Sequence, residues 1–476
     1  MKWLGAVTRL ITLVLMMSLA PFACAFAFWQ YDGNAVCRAA RGQFYPEITP
    51  DGEGGAVVTW LHDPDTLSDI YAQRVDEAGN LLWTTSGVAV CEDTDKQDHP
   101  RIISDGSGGA IIVWSDHRGD DYDIYAQRVN ASGIPLWGAN GVPICLEIGE
   151  QDYPVIASDG AGGAIICWHD SQSAGQFDIY ARRVDTSGKV LWTNNGVAVC
   201  SEIGNQMYPE ITSDGVGGAI IVWLDRREGG VDHIYAQRVD GSGALMWTAN
   251  GVAVCKATGV RWYPKLASDG AGGAIITWYD WRANTGYAVY VQRVDTFGAP
   301  LYENGVVICA HTVSPFDHWA PAISADGAGG AIVIWQDVRN VETIGIYAQR
   351  VSASGSPSWV ANGIAVSASA GSQERLSITS DGAGGAITCW TDHRSGNHDI
   401  YAQRMDPSGH SLWAADGSAV CTASGVQKYS VITQSGVGGA IICWQDVRSG
   451  LDSDIYAQKM PPRFSRPLST RFRDAE

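Results

Sequence analysis

The chain has 476 residues, enough for several ordinary domains or one large one, and 45% of them are hydrophobic, as in a globular protein. Its formal net charge of −19 at pH 7 argues against nucleic-acid binding, which normally needs a basic stripe. An acidic balance is compatible with solubility or with cation binding.

Residues 1–27 are predicted to be a Sec-type signal peptide. Lys2 and Arg9 precede the apolar run LITLVLMMSLA, which is too short to span a bilayer, and small residues flank Cys24 as at a cleavage site. The alternative is a lipoprotein signal ending at Cys24, for which PFAC is a poor match. The sequence therefore predicts export, to the periplasm or the exterior, with no later membrane span.

One motif, S-D-G-x-G-G-A-I, recurs every 54 to 57 residues along the rest of the chain. Its acidic residue is Asp51, Asp105, Asp159, Asp214, Asp269, Asp326 and Asp381, and Ser435 stands there in an eighth copy. Each repeat reads as four strands, such as PEITS, GAIIVW, HIYAQRV and ALMW…GVAVC, joined by Gly-containing turns. Four short strands per repeat predict an all-β fold, an eight-bladed β-propeller, as one domain over residues 28–460.

The eighth repeat ends at DIYAQKM (454–460) without a fourth strand. The missing strand stands at the other end of the chain, in FWQYDGNAVC (28–37), where Trp29, Gly33 and Cys37 have the same spacing as Trp83, Gly87 and Cys91. Because an unpaired sheet edge is a liability, this segment is predicted to complete blade eight and close the ring. Residues 461–476 are predicted to be a flexible basic tail.

The repeats resemble the DIYAQR-type tandem repeats of uncharacterised secreted bacterial β-propeller proteins, over essentially the whole mature chain. That resemblance implies the fold and an export route, and no activity. The stretch GKVLW (188–192) is also similar to the tryptophan-docking motif of the eight-bladed quinoprotein dehydrogenases. Its Asp-to-Trp spacing is one residue shorter than theirs, and the chain has no paired adjacent cysteines of the kind that they use beside the quinone, so no cofactor is expected.

Most residues that recur in every blade are predicted to be architectural. W-x-D-x-R follows the second strand in six repeats, and the Arg of IYAQR lies on the neighbouring strand. Buried charges need partners, so an Asp–Arg network that staples each blade is expected. The alternative is a ring of carboxylates at the channel mouth that binds a cation.

Cysteines occupy one equivalent position near the end of seven repeats, and three more precede the second-strand Trp. Equivalent positions of neighbouring blades lie too far apart for a disulfide, so buried free thiols are expected even in an exported protein. No CxxC or Cys/His cluster indicates a metal site.

A ring position lies eight residues before each turn Asp, on the face where ligands usually bind. Its occupants are Gln43, Gln97, Gln151, Gln206, Arg261, His318, Gln373 and Gln427. The glutamines are expected to hydrogen-bond one another or the adjoining backbone. Departures from the pattern cluster in blades five and six and comprise Arg261, Trp262, Trp281, His318 and Trp319.

Aromatic rings beside Arg and His suit stacking on a sugar or on protein aromatic side chains, so these five residues, flanked by Gln206 and Gln373, are the candidate ligand site. The alternative is that they fill a wider gap between blades.

The sequence contains no GxSxG, HExxH, P-loop, dinucleotide-binding or EF-hand motif. The favoured interpretation is a secreted, non-catalytic propeller that binds a glycan or a protein on the channel face. One alternative is a hydrolase or lyase acting on polysaccharide, with carboxylates from the same face whose separation the sequence does not give. Another is a purely structural extracellular module.

Overall fold

The computed structural model describes residues 29–63, 67–173, 175–193, 195–282, 286–313, 321–340, 343–450 and 452–463. The predicted signal peptide and most of the predicted tail lie outside these ranges. The described chain forms eight antiparallel sheets that make an eight-bladed β-propeller, as predicted. In the described ranges no helix is long and apolar enough to cross a membrane.

The first strand of each blade lines the central channel and the fourth lies outermost. The strands of blades one to four are Gln43–Pro50, Ala56–His62, Asp69–Val75 and Val88–Cys91; Gln97–Ser104, Ala110–Asp116, Asp123–Val129 and Val142–Cys145; Gln151–Ser158, Ala164–Ser173, Gln176–Val184, Val190–Leu191 and Val197–Cys200; and Gln206–Ser213, Ala219–Asp225, His233–Val239 and Val252–Cys255. Those of blades five to eight are Arg261–Ser268, Ala274–Asp280, Tyr287–Val294 and Val306–Val313; Ala322–Ala325, Ala331–Asn340, Thr343–Val351 and Ile364–Ser367; Gln373–Ser380, Ala386–Asp392, Asp399–Met405 and Ser418–Cys421; and Gln427–Gln434, Ala440–Asp446, Asp454–Met460 and Asn34–Cys37.

The second strand of each blade is buried on both faces, because its sheet packs between two neighbouring sheets. In blade four the strand Ala219–Asp225 is buried throughout, and Trp223 is completely inaccessible. Its side chains Ile220 and Val222 pack with Trp278 of blade five in one apolar cluster. Equivalent clusters lie between successive blades, so the core is a set of apolar layers between blades around the ring.

The fourth strand, written as ALMW…GVAVC in the sequence of blade four, is broken at its Gly. In blade four it comprises only Val252–Cys255, because Gly251 has φ 86° and a Cβ there would lie 2.6 Å from the Trp223 ring. The preceding LMW segment makes only an isolated bridge. Its Trp247 indole donates a hydrogen bond of 3.0 Å to the carbonyl of Thr296 and so joins blade four to blade five.

The N-terminal strand closes the ring as predicted. Asn34–Cys37 pairs antiparallel with Asp454–Met460 and is the outermost strand of blade eight. Val36 is completely buried in a cluster that also contains Trp60 of blade one. Asp32 accepts a hydrogen bond of 2.8 Å from the backbone N–H of Thr422, which follows blade seven. One short segment therefore contacts blades seven, eight and one.

The expected Asp–Arg pairing is present, and the two arginine motifs form two separate networks. At the channel-mouth end of blade two, Asp116 accepts hydrogen bonds from Trp114 (2.7 Å) and from both Nε (2.8 Å) and Nη2 (2.6 Å) of Arg118. The guanidinium of Arg118 lies 3.8 Å above the Tyr125 ring. At the opposite end, Arg128 of IYAQR instead binds Asp105 of the SDGxGG turn. Third strands run away from the mouth, which places these two arginines at opposite ends of the blade.

The ten described cysteines are free thiols and all are buried, as expected. Burial raises the pKa of the Cys91, Cys145, Cys200 and Cys421 thiols to about 12. Cys91, Cys200 and Cys421 pack beside Asp–Arg pairs, with Arg Nη2 lying 3.4, 3.1 and 3.1 Å from their sulfur atoms. They therefore behave as small apolar packing residues.

Candidate functional site

In the seven blades whose inner strand is described from its start, a bulge there presents one side chain to the mouth of the channel. In blade one, the pairing of the first two strands shifts register between Phe44 and Glu47, which leaves Tyr45 and Pro46 opposite a single residue. Tyr45 has φ 51°. The same conformation, with φ between 51° and 58°, recurs in what is here termed the mouth ring: Tyr45, His99, Tyr153, Tyr208, Tyr263, Arg375 and Tyr429. The equivalent residue of blade six, Ala320, lies outside the described residues.

Most mouth-ring positions carry aromatic residues, although their backbone conformation favours Gly or Asn. A positive φ is adopted most readily by Gly or Asn, and it costs other residues about 1 kcal/mol or more. Five of the seven described positions are nevertheless Tyr. Tyr45 and Tyr208 are each 47% exposed and Tyr153 is 39% exposed, so these rings are not buried as core. Strained positions occupied by exposed aromatic side chains indicate a role for the rings themselves.

Two pairs of neighbouring mouth-ring tyrosines are in edge-to-face contact. Tyr45 and Tyr429 have ring centroids 4.9 Å apart at an interplanar angle of 81°, and Tyr153 and Tyr208 lie 5.3 Å apart at 87°. These contacts hold the rings in defined orientations. Ordered aromatic surfaces therefore border the mouth at these positions.

The predicted ring glutamines are buried structural groups. Gln206 and Gln373 have no exposed surface. The amide of Gln206 donates to the carbonyl of Gly204 (2.9 Å), and that of Gln373 donates to the carbonyl of Gly371 (3.0 Å). Of the two expected arrangements, the structure shows bonds to the adjoining backbone, so these side chains order the loops that lead into the inner strands.

Arg261 takes the same place in blade five. It is completely buried and donates to the carbonyls of Asp232 (2.9 Å) and Gly259 (3.0 Å), while its Nε lies 3.6 Å from Asp280 Oδ2. Arg261 is thus a paired, buried cation beneath the mouth rather than an exposed group.

Trp262 and Trp281 are brought together in blade five. Each stacks on Tyr287, at centroid distances of 5.2 and 5.6 Å and interplanar angles of 24° and 27°. Tyr287 is 7% exposed, whereas Trp281 is 38% exposed. The three rings form an aromatic stack on the same face as the mouth ring, with Trp281 outermost. The other two predicted residues, His318 and Trp319, lie outside the described residues.

A second polar sector of the mouth joins blades two and three. Asp152 accepts hydrogen bonds from the Ser115 hydroxyl (2.6 Å) and pairs with His99 Nδ1 (3.0 Å). Burial raises the pKa of Asp152, but the bonds from His99 and Ser115 outweigh it and leave that pKa below its usual value. His99 stacks on Tyr153 at 4.3 Å. This sector therefore combines an ionised carboxylate with an aromatic pair.

The channel below the mouth is a cavity of about 1050 Å³ lined by inner-strand residues. Two ion pairs join neighbouring blades there: Arg101 Nη1 lies 2.9 Å from Glu47 Oε1, and Lys265 binds Glu210. Desolvation raises the pKa of Glu47, opposed by the charges of Arg101 and Lys265 and reinforced by that of Glu210. The two carboxylates therefore influence each other inside one channel.

Nothing in the described residues forms a metal centre: no group of three or more His, Cys, Asp or Glu side chains there could hold an ion. The carboxylates of the six W-x-D-x-R motifs, considered above as a cation ring, are instead held by Trp and Arg, as Asp392 is by Trp390 (2.8 Å) and Arg394 (2.6 Å).

Sequence reasoning missed the mouth ring, although a signal was present. Most repeats follow the ring position with x-Tyr-Pro or x-His-Pro, as in QFYP (43–46), QDHP (97–100), QDYP (151–154) and QMYP (206–209). Proline within a strand is confined to edges and bulges. The Pro therefore indicates that the inner strand is an edge strand with a bulge at this point. Exposure of the residue before the Pro follows from that position.

No protein-family model and no curated protein matches the sequence. Among solved structures, the chain is similar to a Dyadobacter fermentans protein of unknown function, at 9% identity and a TM-score of 0.42 over 90% of this chain and 98% of that one. It is also similar to the NanB sialidase of Streptococcus pneumoniae (10% identity, TM-score 0.38, 91% and 71% covered) and to a Penicillium chrysogenum alpha-L-arabinanase (13% identity, TM-score 0.34, 66% and 93% covered). At such identities the likeness does not extend to function.

Proposed function

We propose that this protein binds a carbohydrate chain at the mouth of its channel by stacking sugar rings on exposed aromatic side chains. The observation that carries the proposal is the mouth ring, in which Tyr45, Tyr153 and Tyr208 keep exposed rings at positive φ. Aromatic faces bordered by polar groups are typical of sugar-binding surfaces, because a sugar has apolar C–H faces and a polar edge.

The mouth supplies both kinds of contact. Rings come from the tyrosines and from the Trp262–Tyr287–Trp281 stack. Polar partners come from the Asp152–His99 pair and from charged residues just inside the channel. The mouth-ring tyrosines stand on strand bulges, which hold them in place, so little ordering entropy is lost there when a ligand binds.

Replacement of the two most exposed mouth-ring tyrosines, Tyr45→Ala with Tyr208→Ala, is expected to weaken oligosaccharide binding by about 5- to 100-fold, because each ring contributes roughly 1 kcal/mol. The measurement is a glycan array followed by titration calorimetry with the oligosaccharides that bind. The matched control is Phe297→Ala, which removes an 84% exposed ring from a turn on the opposite face and should leave affinity unchanged. Equal affinity of the double variant and the wild type would overturn the site.

A second candidate function is cleavage of the bound chain, with Glu47 and Glu210 as the carboxylates. It is favoured by the burial of Glu47 in the channel, which raises the pKa of its carboxyl, since a raised carboxyl pKa is a property of general acids. The test is release of reducing ends from the array-positive polysaccharide. Loss of release in Glu47→Gln and in Glu210→Gln, with binding retained, would support cleavage, and no release by the wild type would exclude it for that polysaccharide.

Export is part of the proposal, because residues 1–27 have the form of a signal peptide and a polysaccharide ligand is met outside the cytoplasm. Edman sequencing of the protein from expressing cells should begin at residue 26 or at residue 28, after Ala25 or Ala27. An intact Met1 in all fractions would contradict export.

A further inference from the structure

Two blades share a sequence feature at the mouth that the other blades lack. The triplet Tyr-Pro-Glu occurs only at 45–47 in blade one and at 208–210 in blade four. In both blades the Tyr is a mouth-ring residue, and Tyr45 and Tyr208 are equally exposed, at 47%. The Glu follows two residues later on the same inner strand. The mouth therefore carries two copies of one Tyr–Glu arrangement, three blades apart around the ring.

Each of these two tyrosines stands edge to face against the mouth-ring tyrosine of the preceding blade. The ring centroids of Tyr45 and Tyr429 lie 4.9 Å apart at an angle of 81°, and those of Tyr208 and Tyr153 lie 5.3 Å apart at 87°. Among the described mouth-ring tyrosines, these two pairs are the edge-to-face contacts. The aromatic part of the arrangement is thus repeated in its geometry as well as in its sequence.

Each glutamate pairs with a cation of the following blade, just inside the channel. Arg101 Nη1 lies 2.9 Å from Glu47 Oε1, and Lys265 binds Glu210. All four side chains are partly exposed to the channel, where a ligand can reach them. Blades three, seven and eight have uncharged residues at the equivalent position of the inner strand: Val155, Ser377 and Val431. The ring therefore does not need an ion pair at this position, and both pairs accompany an exposed tyrosine.

We infer that the mouth holds one neutral polysaccharide at two separate points, in two equivalent sugar subsites. This rests on the proposed function and names its ligand class and the number of its contacts. The first subsite is formed by Tyr45, Glu47 and Arg101. The second is formed by Tyr208, Glu210 and Lys265.

The chemistry of each subsite fits a sugar unit without a charge. The tyrosine ring offers an apolar surface to the C–H face of the sugar. The carboxylate accepts hydrogen bonds and the cation donates them, which matches two neighbouring hydroxyl groups. The pair has no net charge and the protein carries −19, so an anionic sugar gains no charge attraction at the subsite and is repelled by the protein as a whole. Partly exposed ion pairs are weak, so sharing their atoms with hydroxyl groups costs little.

Titration calorimetry with neutral oligosaccharides of glucose, galactose, mannose, xylose and arabinose counts the subsites. A trisaccharide fills one subsite, so two molecules are expected to bind per protein. A chain of about twelve units of the same sugar is expected to bind as one molecule per protein and about 100-fold more tightly, because its second contact is intramolecular.

The wild-type titration tests the inference without any variant. One trisaccharide per protein, or a longer chain that binds no more tightly than the trisaccharide, overturns the inference and leaves the proposed function intact. Binding of acidic glycans only also overturns the inference alone. Failure of every glycan to bind counts against both.

Matched double variants assign the two subsites. Tyr45→Ala with Glu47→Gln is expected to weaken the first subsite by about 100-fold, through the loss of a stacking ring and of a charged hydrogen-bond acceptor. The number of trisaccharides bound should fall from two to one, with the affinity of the second subsite unchanged, which also shows that the variant is folded. Tyr208→Ala with Glu210→Gln should have the converse effect. Two trisaccharides bound at wild-type affinity in both variants, or loss of both subsites in a variant with an unchanged thermal melt, would contradict two separate subsites.

Discussion

A chain without residues 29–37 is expected to lose its cooperative fold. The segment contributes the outer strand of blade eight, whose residues pair with Ile455, Tyr456 and Ala457. It also buries Val36 between blades eight and one. The burial of two side chains and the pairing of a strand edge together contribute about 5 kcal/mol or more to the free energy of unfolding. This is comparable with the whole stability of a typical domain.

Urea unfolding followed by tryptophan fluorescence measures the effect of removing the closing strand. A finer test is Val36→Asp, which places a charge at a fully buried position, with Gln30→Asp as the control at an exposed position of the same segment. Addition of a peptide spanning 29–38 to the truncated chain should restore the native midpoint. A truncated chain as stable as the wild type would show that the ring does not depend on this strand.

Asp225→Ala is expected to destabilise the protein by about 3 to 5 kcal/mol. The Asp225 carboxylate has no exposed surface and accepts hydrogen bonds from Trp223 Nε1 (2.8 Å) and from Arg227 Nε (2.8 Å) and Nη2 (2.6 Å). Its removal leaves an indole N–H and a guanidinium without their anion. Arg227 also lies 3.8 Å above Tyr235 and donates to the carbonyl of Asn250 (2.8 Å), so its displacement would disturb the outer strand as well.

Blade one supplies the matched control for the Asp225 hydrogen-bond network. His62 stands where the other blades have the Asp, and the buried Trp60 Nε1 has no hydrogen-bond partner among the described residues. His62→Ala should therefore cost no more than about 1 kcal/mol. Chemical denaturation of both variants gives the comparison, and Asp225→Asn, which keeps a hydrogen-bond acceptor, should fall between them. Similar losses in Asp225→Ala and His62→Ala would show that the carboxylate is not the stabilising element.

The architecture could be predicted because its determinants are local and repeated. Each SDGxGG turn, each doubly buried second strand and the spacing from Trp29 to Cys37 carries its own signal, and eight copies reinforce one another. The thiols could also be predicted, because the distance between equivalent positions on neighbouring blades follows from the architecture.

The hydrogen-bond partners of individual side chains were harder to predict, because each partner depends on which end of its strand the side chain occupies. The expected Asp–Arg pairing is present, but its partners were not predicted: Arg128 lies one strand length from Asp116 and binds Asp105 instead. The sequence is compatible with a Gln206 that hydrogen-bonds either the other ring glutamines or its own loop. The path of that loop determines which of the two bonds forms. Tyr208 resembles an ordinary strand residue until the bulge beside Pro209 turns it to the mouth.

Hydrogen exchange of the protein with and without the tightest-binding oligosaccharide of the array tests the central claim, a carbohydrate site at the mouth ring, most directly. Slowed exchange is predicted in peptides covering 43–47, 206–210 and 427–431, where the inner strands begin, with no change in the SDGxGG turns at the opposite end of the blades. Protection confined to those turns or to the outer strands, with the mouth unchanged, would contradict a carbohydrate site at the channel mouth.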